Sequence, residues 1–308
     1  SEDTFLFRII WSLQMPLFML ISGYVTKYSR PIVSGKALLR LLKKRSLAYL
    51  IPWIVWTVGV RGFLLGESNY LIPWLLWHMD SGYWFLFSLW TITVIFATSQ
   101  WAASKVHCEY GSIRYLLALA ACYGVGAVML LGLGVWQGLS FLCIKLTLYY
   151  MPFYFAGYLF GAYQKRITCM KNGTQWMEGV VALCCLAWLY LVLRFNFYTA
   201  EETIAMIFLR MVTSLMGCIA VSGLCASACA KKIVGGVHWF GVHSLEIYLM
   251  QYPLLTLLLP SELPQASSMF GAIVVIVNLT VTLATAYTLT KAVRNNTILQ
   301  RMLFVKSA

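Results

Sequence analysis

The sequence predicts an all-α protein, a polytopic integral membrane helix bundle with about nine transmembrane helices, and three observations point to it. Hydrophobic residues make up 61% of the 308-residue chain and charged residues 11%, whereas soluble domains carry about a quarter charged residues. Apolar segments of about 20 residues, long enough to cross the hydrocarbon layer, recur along the sequence. Basic residues collect in alternate connections. We therefore expect residues 1–308 to form a single transmembrane domain with no soluble domain.

The individual spans follow from apolar runs bounded by charged or turn-rich breaks. The connection from Lys27 to Arg45 holds seven Lys or Arg residues, and the next one, 66–82, holds none. This alternation continues to the basic tail, so we expect a cytoplasmic C-terminus and Ser1 on the opposite side. Nine spans that end in the cytoplasm place Ser1 on the external side. One more helix before Ser1 would place the native N-terminus in the cytoplasm, so we also expect such a helix. The predicted spans are 5–26, 46–65, 83–103, 113–134, 141–163, 177–196, 204–229, 239–259 and 269–291.

Composition also excludes several function classes. A net charge of +13 would suggest nucleic acid in a soluble protein, but these cations lie in short loops that suit topology and anionic membrane lipids better. The nine cysteines form no C-x-x-C pair and have no metal-ligand spacing, so we expect no metal. No sequence signature of a soluble hydrolase, nucleotide-binding or dinucleotide-binding enzyme is present.

Prolines and glycines mark places where helices bend or approach each other. Pro16, Pro152 and Pro253 lie within spans, where they indicate either helices that line a cavity or simple packing kinks. Gly157 and Gly161 are four residues apart and favour close contact with another helix.

The first candidate binding element is the basic cluster Arg40, Lys43, Lys44 and Arg45, next to the second span. It is explained either by topology and lipid headgroups or by a phosphate site, because four cations within a turn and a half of helix could hold a diphosphate.

Ionisable side chains inside spans form a second group, since they are costly in lipid and usually have a task or a partner. Arg61 and Arg194 can extend to the membrane surface. Lys145 and Arg210 favour a polar cavity on the external side for an anionic or hydroxyl-rich ligand.

The third group is residues 240–253. At helical spacing Ser244, Tyr248 and Gln251 share one face, and His243 can pair with Glu246 on another. These residues could form a structural hydrogen-bond network or line a site.

An aromatic run at residues 83–87, which includes Trp84, fits a belt at the external membrane surface. It could also form the floor of a sugar site, because the apolar faces of carbohydrates stack on aromatic rings.

Five segments stand out in the order QMPLFMLISGY at 14–24, KKRSLAYLIPW at 43–53, GYWFL at 82–86, MPFYFAG at 151–157 and FGVHSLEIYLMQYP at 240–253. In this order they resemble elements of the acyltransferase 3 family, the integral-membrane acyltransferases that include fucose 4-O-acetylase-like proteins. The sequence departs from the family pattern at Gln14 and Gln251, where histidine is frequent, and at Ala48, where many members have a second arginine.

The resemblance implies about ten transmembrane helices in a bacterial inner membrane. It also implies transfer of an acetyl or other short acyl group from acyl-CoA, foremost acetyl-CoA, to a hydroxyl of a sugar or exported polysaccharide. The presumed catalytic histidine belongs to a first helix without counterpart in residues 1–308, so we expect it in a preceding helix. A chain that truly lacked that helix would be inactive.

On this pattern Lys43, Lys44 and Arg45, with Arg40, are expected to hold the CoA phosphates. The acceptor cavity is assigned eight candidates: Gln14, Ser22, Trp84, Lys145, Arg210, Glu246, Tyr248 and Gln251. Two alternatives remain open. A transporter or flippase for an anionic or glycan-linked solute would use the same kinked helices and intramembrane cations, and a structural subunit of a polysaccharide-export complex is the other.

Overall fold

The computed structural model describes residues 5–64, 76–77, 83–106, 111–168, 173–197, 203–226, 239, 241–250, 269–295 and 303, and these contain helices but no strand. The protein is all-α, as predicted. Residues 244–250 are helical. The longer elements are α1 (Phe5–Thr26), α2 (Gly35–Ile54) with a π-helical continuation (Val55–Leu64), α3 (Trp84–Ala103), α4 (Ile113–Gln137), α5 (Ile144–Thr168), α6 (Gly173–Arg194), α7 (Ile204–Ala226) and α8 (Met269–Arg294).

Among the described residues, the predicted spans agree with these helices except at the second; residues 240 and 251–259 of the eighth predicted span, 239–259, lie outside the described residues. We expected the basic connection to continue to Arg45 and the second span to begin at residue 46, whereas α2 begins at Gly35 and includes the basic cluster. The Ser34 side chain accepts a hydrogen bond from the Ala37 N–H (3.2 Å) and caps the helix. Leu, Lys and Arg are good helix formers, which is why the helix begins well before the apolar run.

Helix surfaces identify a membrane protein directly. Five helices in the described part of the chain are long and apolar enough to cross a bilayer: Phe7–Thr26, Trp84–Ala103, Ile113–Gln137, Met177–Arg194 and Ile204–Cys225. In α4, Leu117, Val128 and Val135 are exposed by 65%, 67% and 77%. So much apolar surface is unfavourable in water and favourable in lipid, and the chain is a multi-pass membrane protein.

The prolines have different local effects. Helices α1 and α5 run through Pro16 and Pro152 without interruption of the helix. After Pro52, α2 changes to π-helical winding at Val55. Proline lacks the N–H that an α-helical hydrogen bond needs, which accounts for a change of winding near that position.

The chain divides into two compact units, and the first comprises residues 1–30 and 149–238. In it α1 contacts α6 and α7. Gly23 and Gly157 let α1 cross α5 closely: an added Cβ would overlap the carbonyl oxygen of Tyr154 or Leu20 respectively. The close contact predicted for Gly157 and Gly161 is confirmed, because both glycines face α1.

Hydrogen bonds between side chains support the same crossing. Thr26 Oγ1 lies 2.8 Å from Tyr154 Oη, and the Tyr24 hydroxyl donates to Gln164 Oε1 at 2.9 Å. Apolar attraction between helices is weak in lipid, so close backbone packing and such polar pairs hold transmembrane helices together.

The second unit comprises residues 31–148 and 239–308. Here α2 packs on α3, where the Trp90 indole donates to Ser46 Oγ (2.9 Å). Gly126 of α4 lies against Ile95 of α3, so these two helices also approach closely. The Trp56 indole donates to the Leu303 carbonyl (2.7 Å), which connects Leu303 to the π-helical segment.

Candidate functional site

The basic cluster on α2 divides between two helix faces. At 100° per residue, Arg40, Lys43 and Lys44 lie on one side, and all three are exposed. Arg45 lies on the other side with buried Leu38 and Tyr49. We expected all four cations to form one site, and the structure instead separates Arg45 from the rest because a helix turns 100° between Lys44 and Arg45.

Arg45 is half-buried and held in a fixed position. Its Nη1 donates to the Tyr49 hydroxyl one turn along the helix (3.1 Å), and its Cζ lies 5.8 Å from the centre of that ring. Tyr49 is only 9% exposed, so this contact orients the guanidinium against the body of the second unit.

Arg210 lies between two aromatic rings in the first unit. Its Cζ is 3.8 Å from the centre of the Trp11 ring in α1 and 4.7 Å from that of Tyr149 in α5. Arg210 and Ser214 both lie beside the Tyr149 hydroxyl. Stacking on two rings stabilises the cation while its N–H donors remain directed in the guanidinium plane.

These three residues lie at a common depth. Arg210 and Trp11 are each the seventh residue of their helices and Tyr149 is the sixth. At 1.5 Å per residue this is about 9 Å from the helix starts. By the predicted topology all three starts lie on the external side, so the Arg210 cluster, defined as Arg210, Trp11, Tyr149 and Ser214, would lie nearer to that side.

No described carboxylate accompanies Arg210. The described residues include two acidic side chains, Glu178 and Glu246. Glu178 is exposed near the start of α6, and Glu246 contacts His243 in the second unit. In the part of the chain that the structure describes, the charge of Arg210 is therefore stabilised by aromatic rings and not by an acid, which suits an anionic or hydroxyl ligand.

His243 and Glu246 form the predicted pair. His243 Nδ1 lies 2.7 Å from Glu246 Oε2, and both side chains are largely buried. The Trp239 ring packs against the imidazole at a tilt of 56°, with ring centres 4.5 Å apart, and also contacts Tyr287 of α8. This arrangement fixes the position of the imidazole.

The other face of this segment contacts α3. The ring of Tyr248 packs edge-on against Phe85, with centres 5.6 Å apart, and the Ser244 hydroxyl donates to the Gly241 carbonyl (3.0 Å). Trp84, next to Phe85, is half-buried. The structure therefore brings Tyr248 to the start of α3, near Trp84, while Gln251 lies outside the described residues.

The remaining predicted residues are not gathered into one place. Gln14 is exposed on α1, and the Ser22 hydroxyl donates to the Phe18 carbonyl of its own helix (2.8 Å). Lys145 is exposed near the start of α5. The side chain of Arg61 lies outside the described residues.

Sequence reasoning missed the aromatic partners of Arg210. Trp11 and Tyr149 are far from Arg210 in the chain, so no local spacing relates the three residues. Tyr49 could have been found, because it lies four residues after Arg45, the spacing at which side chains on a helix meet.

Comparison with known proteins gives one finding. The sequence model of a family described as an acyltransferase domain, the acyltransferase 3 family, matches residues 2–289. No curated protein and no solved structure matches the chain. The matched range includes the basic cluster on α2, the Arg210 cluster and the His243–Glu246 pair.

Proposed function

The chain belongs to the acyltransferase 3 family, and on that premise we propose that it transfers an acetyl or other short acyl group from acyl-CoA to a hydroxyl of a sugar or exported polysaccharide. The observation that carries this proposal is the family match across residues 2–289. We place the protein in a bacterial inner membrane with its C-terminus in the cytoplasm, so that the donor arrives from the side on which α2 begins.

In this reaction the acceptor hydroxyl oxygen attacks the thioester carbonyl carbon. An ester C–O bond forms and the C–S bond breaks, while the hydroxyl proton passes to a base and from the base to the departing thiolate, so that CoA leaves as its thiol. A positioned cation or hydrogen-bond donor would stabilise the negative charge on the carbonyl oxygen in the transition state. The chain must therefore hold the donor phosphates and orient the acceptor.

For the donor, we assign Arg45 to direct contact with a CoA phosphate. Its contact with Tyr49 fixes the guanidinium, and a preorganised arginine can bind phosphate through two parallel hydrogen bonds. Arg40, Lys43 and Lys44 are exposed, so their role would be to attract the polyanion, an effect that salt screens.

For the acceptor, we assign Arg210 with Ser214. The guanidinium has no described carboxylate partner, and its N–H groups suit sugar hydroxyl or carboxylate oxygens. Trp11 and Tyr149 offer aromatic surface beside it, which suits the apolar face of a sugar ring.

The test is binding of radiolabelled acetyl-CoA to the full-length protein in lipid nanodiscs. Removing a charged hydrogen bond costs about 1.5–3 kcal/mol, so we expect Arg45→Ala to weaken binding at least about tenfold. Arg114→Ala is the matched control, because Arg114 is an exposed cation at the start of α4. The affinity of this variant for acetyl-CoA should stay within about twofold of wild type. Wild-type affinity in a folded Arg45→Ala protein would contradict the assignment.

A further inference from the structure

An apolar groove lies on the second unit and contains none of the residues assigned to the reaction. Helices α3 and α4 form its walls, Leu38 of α2 lies at its edge, and its volume is about 660 Å³. The lining includes Val94, Thr98, Cys122 and Met129. Both walls are helices long and apolar enough to cross the membrane, so the groove faces the hydrocarbon layer.

The close approach of the two helices forms the groove floor. Gly126 lies against Ile95, where any side chain at position 126 would overlap the isoleucine. The helices therefore meet at this point, and the apolar side chains around it form the groove. Because the groove faces the hydrocarbon layer, the acyl chains of the surrounding lipid can enter it.

One end of the groove lies beside a positive charge. Trp101 lines this end, and Lys105 Nζ lies 5.6 Å from the centre of its ring. Lys105 is exposed, so its ammonium would attract the phosphate of a lipid whose acyl chain enters the groove.

We propose that this groove binds an anionic glycerophospholipid, with one acyl chain between α3 and α4 and the phosphate at Lys105. By the predicted topology this end is cytoplasmic, the side on which cations near a membrane meet anionic headgroups. The site does not depend on the acyl-transfer function, and its occupant is a membrane component and not a substrate.

The test is photo-crosslinking of the full-length protein in phosphatidylcholine vesicles that contain phosphatidylglycerol with a diazirine in one acyl chain. We expect the crosslinked peptides to come mainly from residues 90–102 and 122–133, which line the groove. Thr98→Trp places a large side chain in the groove and should reduce these crosslinks at least about threefold. Leu117→Trp is the matched control, because Leu117 is 65% exposed on α4 and lies outside the groove, and it should leave them unchanged.

A second measurement does not depend on packing within the membrane. Lys105 is exposed, so Lys105→Ala should fold normally, and in native mass spectrometry it should retain at most about a third as much phosphatidylglycerol as wild type. Retention of phosphatidylcholine should not change. Equal crosslinking over all exposed helix faces, unchanged phosphatidylglycerol retention, or a protein–protein crosslink between two copies at the groove would each overturn the proposal.

Discussion

Replacing Arg45 with lysine keeps the positive charge but changes the hydrogen-bond geometry, so it separates the two contributions of this residue to acetyl-CoA binding. Lysine cannot form two parallel hydrogen bonds to a phosphate, and it lacks the planar fork that contacts Tyr49. We expect Arg45→Lys to recover less than half of the binding free energy that Arg45→Ala loses, as measured by acetyl-CoA titration. Full recovery by lysine would show that Arg45 contributes charge alone.

The contribution of the exposed cations to acetyl-CoA binding should depend on salt. The triple variant Arg40→Ala, Lys43→Ala, Lys44→Ala should weaken acetyl-CoA binding several-fold at low ionic strength and little near 0.5 M salt, because solvent screens exposed charges. The loss in Arg45→Ala should persist at both salt concentrations. A salt-independent loss in the triple variant would instead assign direct phosphate contacts to the exposed face.

Arg210 provides a prediction about the acceptor. Arg210→Lys keeps the positive charge but loses the planar stacking between Trp11 and Tyr149, and should raise KM for the acceptor at least about fivefold while acetyl-CoA affinity stays unchanged. Kinetics with varied acceptor at saturating acetyl-CoA measure the effect. Equal loss of donor and acceptor binding would indicate a structural role.

Some of these residues could be predicted from sequence spacing and others could not. Spacing was enough to pair His243 with Glu246 and to place Gly157 at a close helix contact, because both features repeat with the helical period. The Arg210 cluster needs α1, α5 and α7 to meet at one depth, which depends on helix packing and leaves no local signal. The division of the basic cluster was missed for another reason: we treated its four cations as one group within a turn and a half of helix and did not compare their positions around the helix axis.

Among elements, the crossing of α1 and α5 should tolerate no side chain at its centre. Gly157→Ala places a Cβ on the Leu20 carbonyl oxygen, and overpacking of this kind costs about 1–3 kcal/mol. We expect a lower thermal midpoint in detergent. Gly132→Ala on α4 is the control, because nothing lies within 4 Å of its added Cβ, and it should be neutral or stabilising by up to about 1 kcal/mol. Equal midpoints for the two variants would contradict the close crossing.

The His243–Glu246 contact makes a second prediction about element stability. Removing one member of a buried pair leaves its partner uncompensated, so His243→Ala should lower the thermal midpoint more than Glu246→Gln, which keeps a hydrogen-bond acceptor. The double variant His243→Leu, Glu246→Leu should recover part of the loss. Strictly additive effects in this double-mutant cycle would show that the two side chains are not coupled.

For the whole molecule, composition alone predicted the fold class, because lipid requires backbone groups to be satisfied within helices. Alternating charge in the connections then predicted the order and direction of the spans. The donor and acceptor sites are harder to predict from whole-chain properties, because each site depends on a few side chains whose neighbours come from distant segments.

The most direct test of the central claim is acyl transfer by the full-length protein in proteoliposomes, supplied with radiolabelled acetyl-CoA and a polysaccharide acceptor. We expect CoA thiol to appear in equal amount with acetyl ester on the acceptor, and both to fall together in Arg45→Ala. If no ester forms while the vesicles accumulate the anionic or glycan-linked solute, the acyltransferase account is wrong and transport is the function.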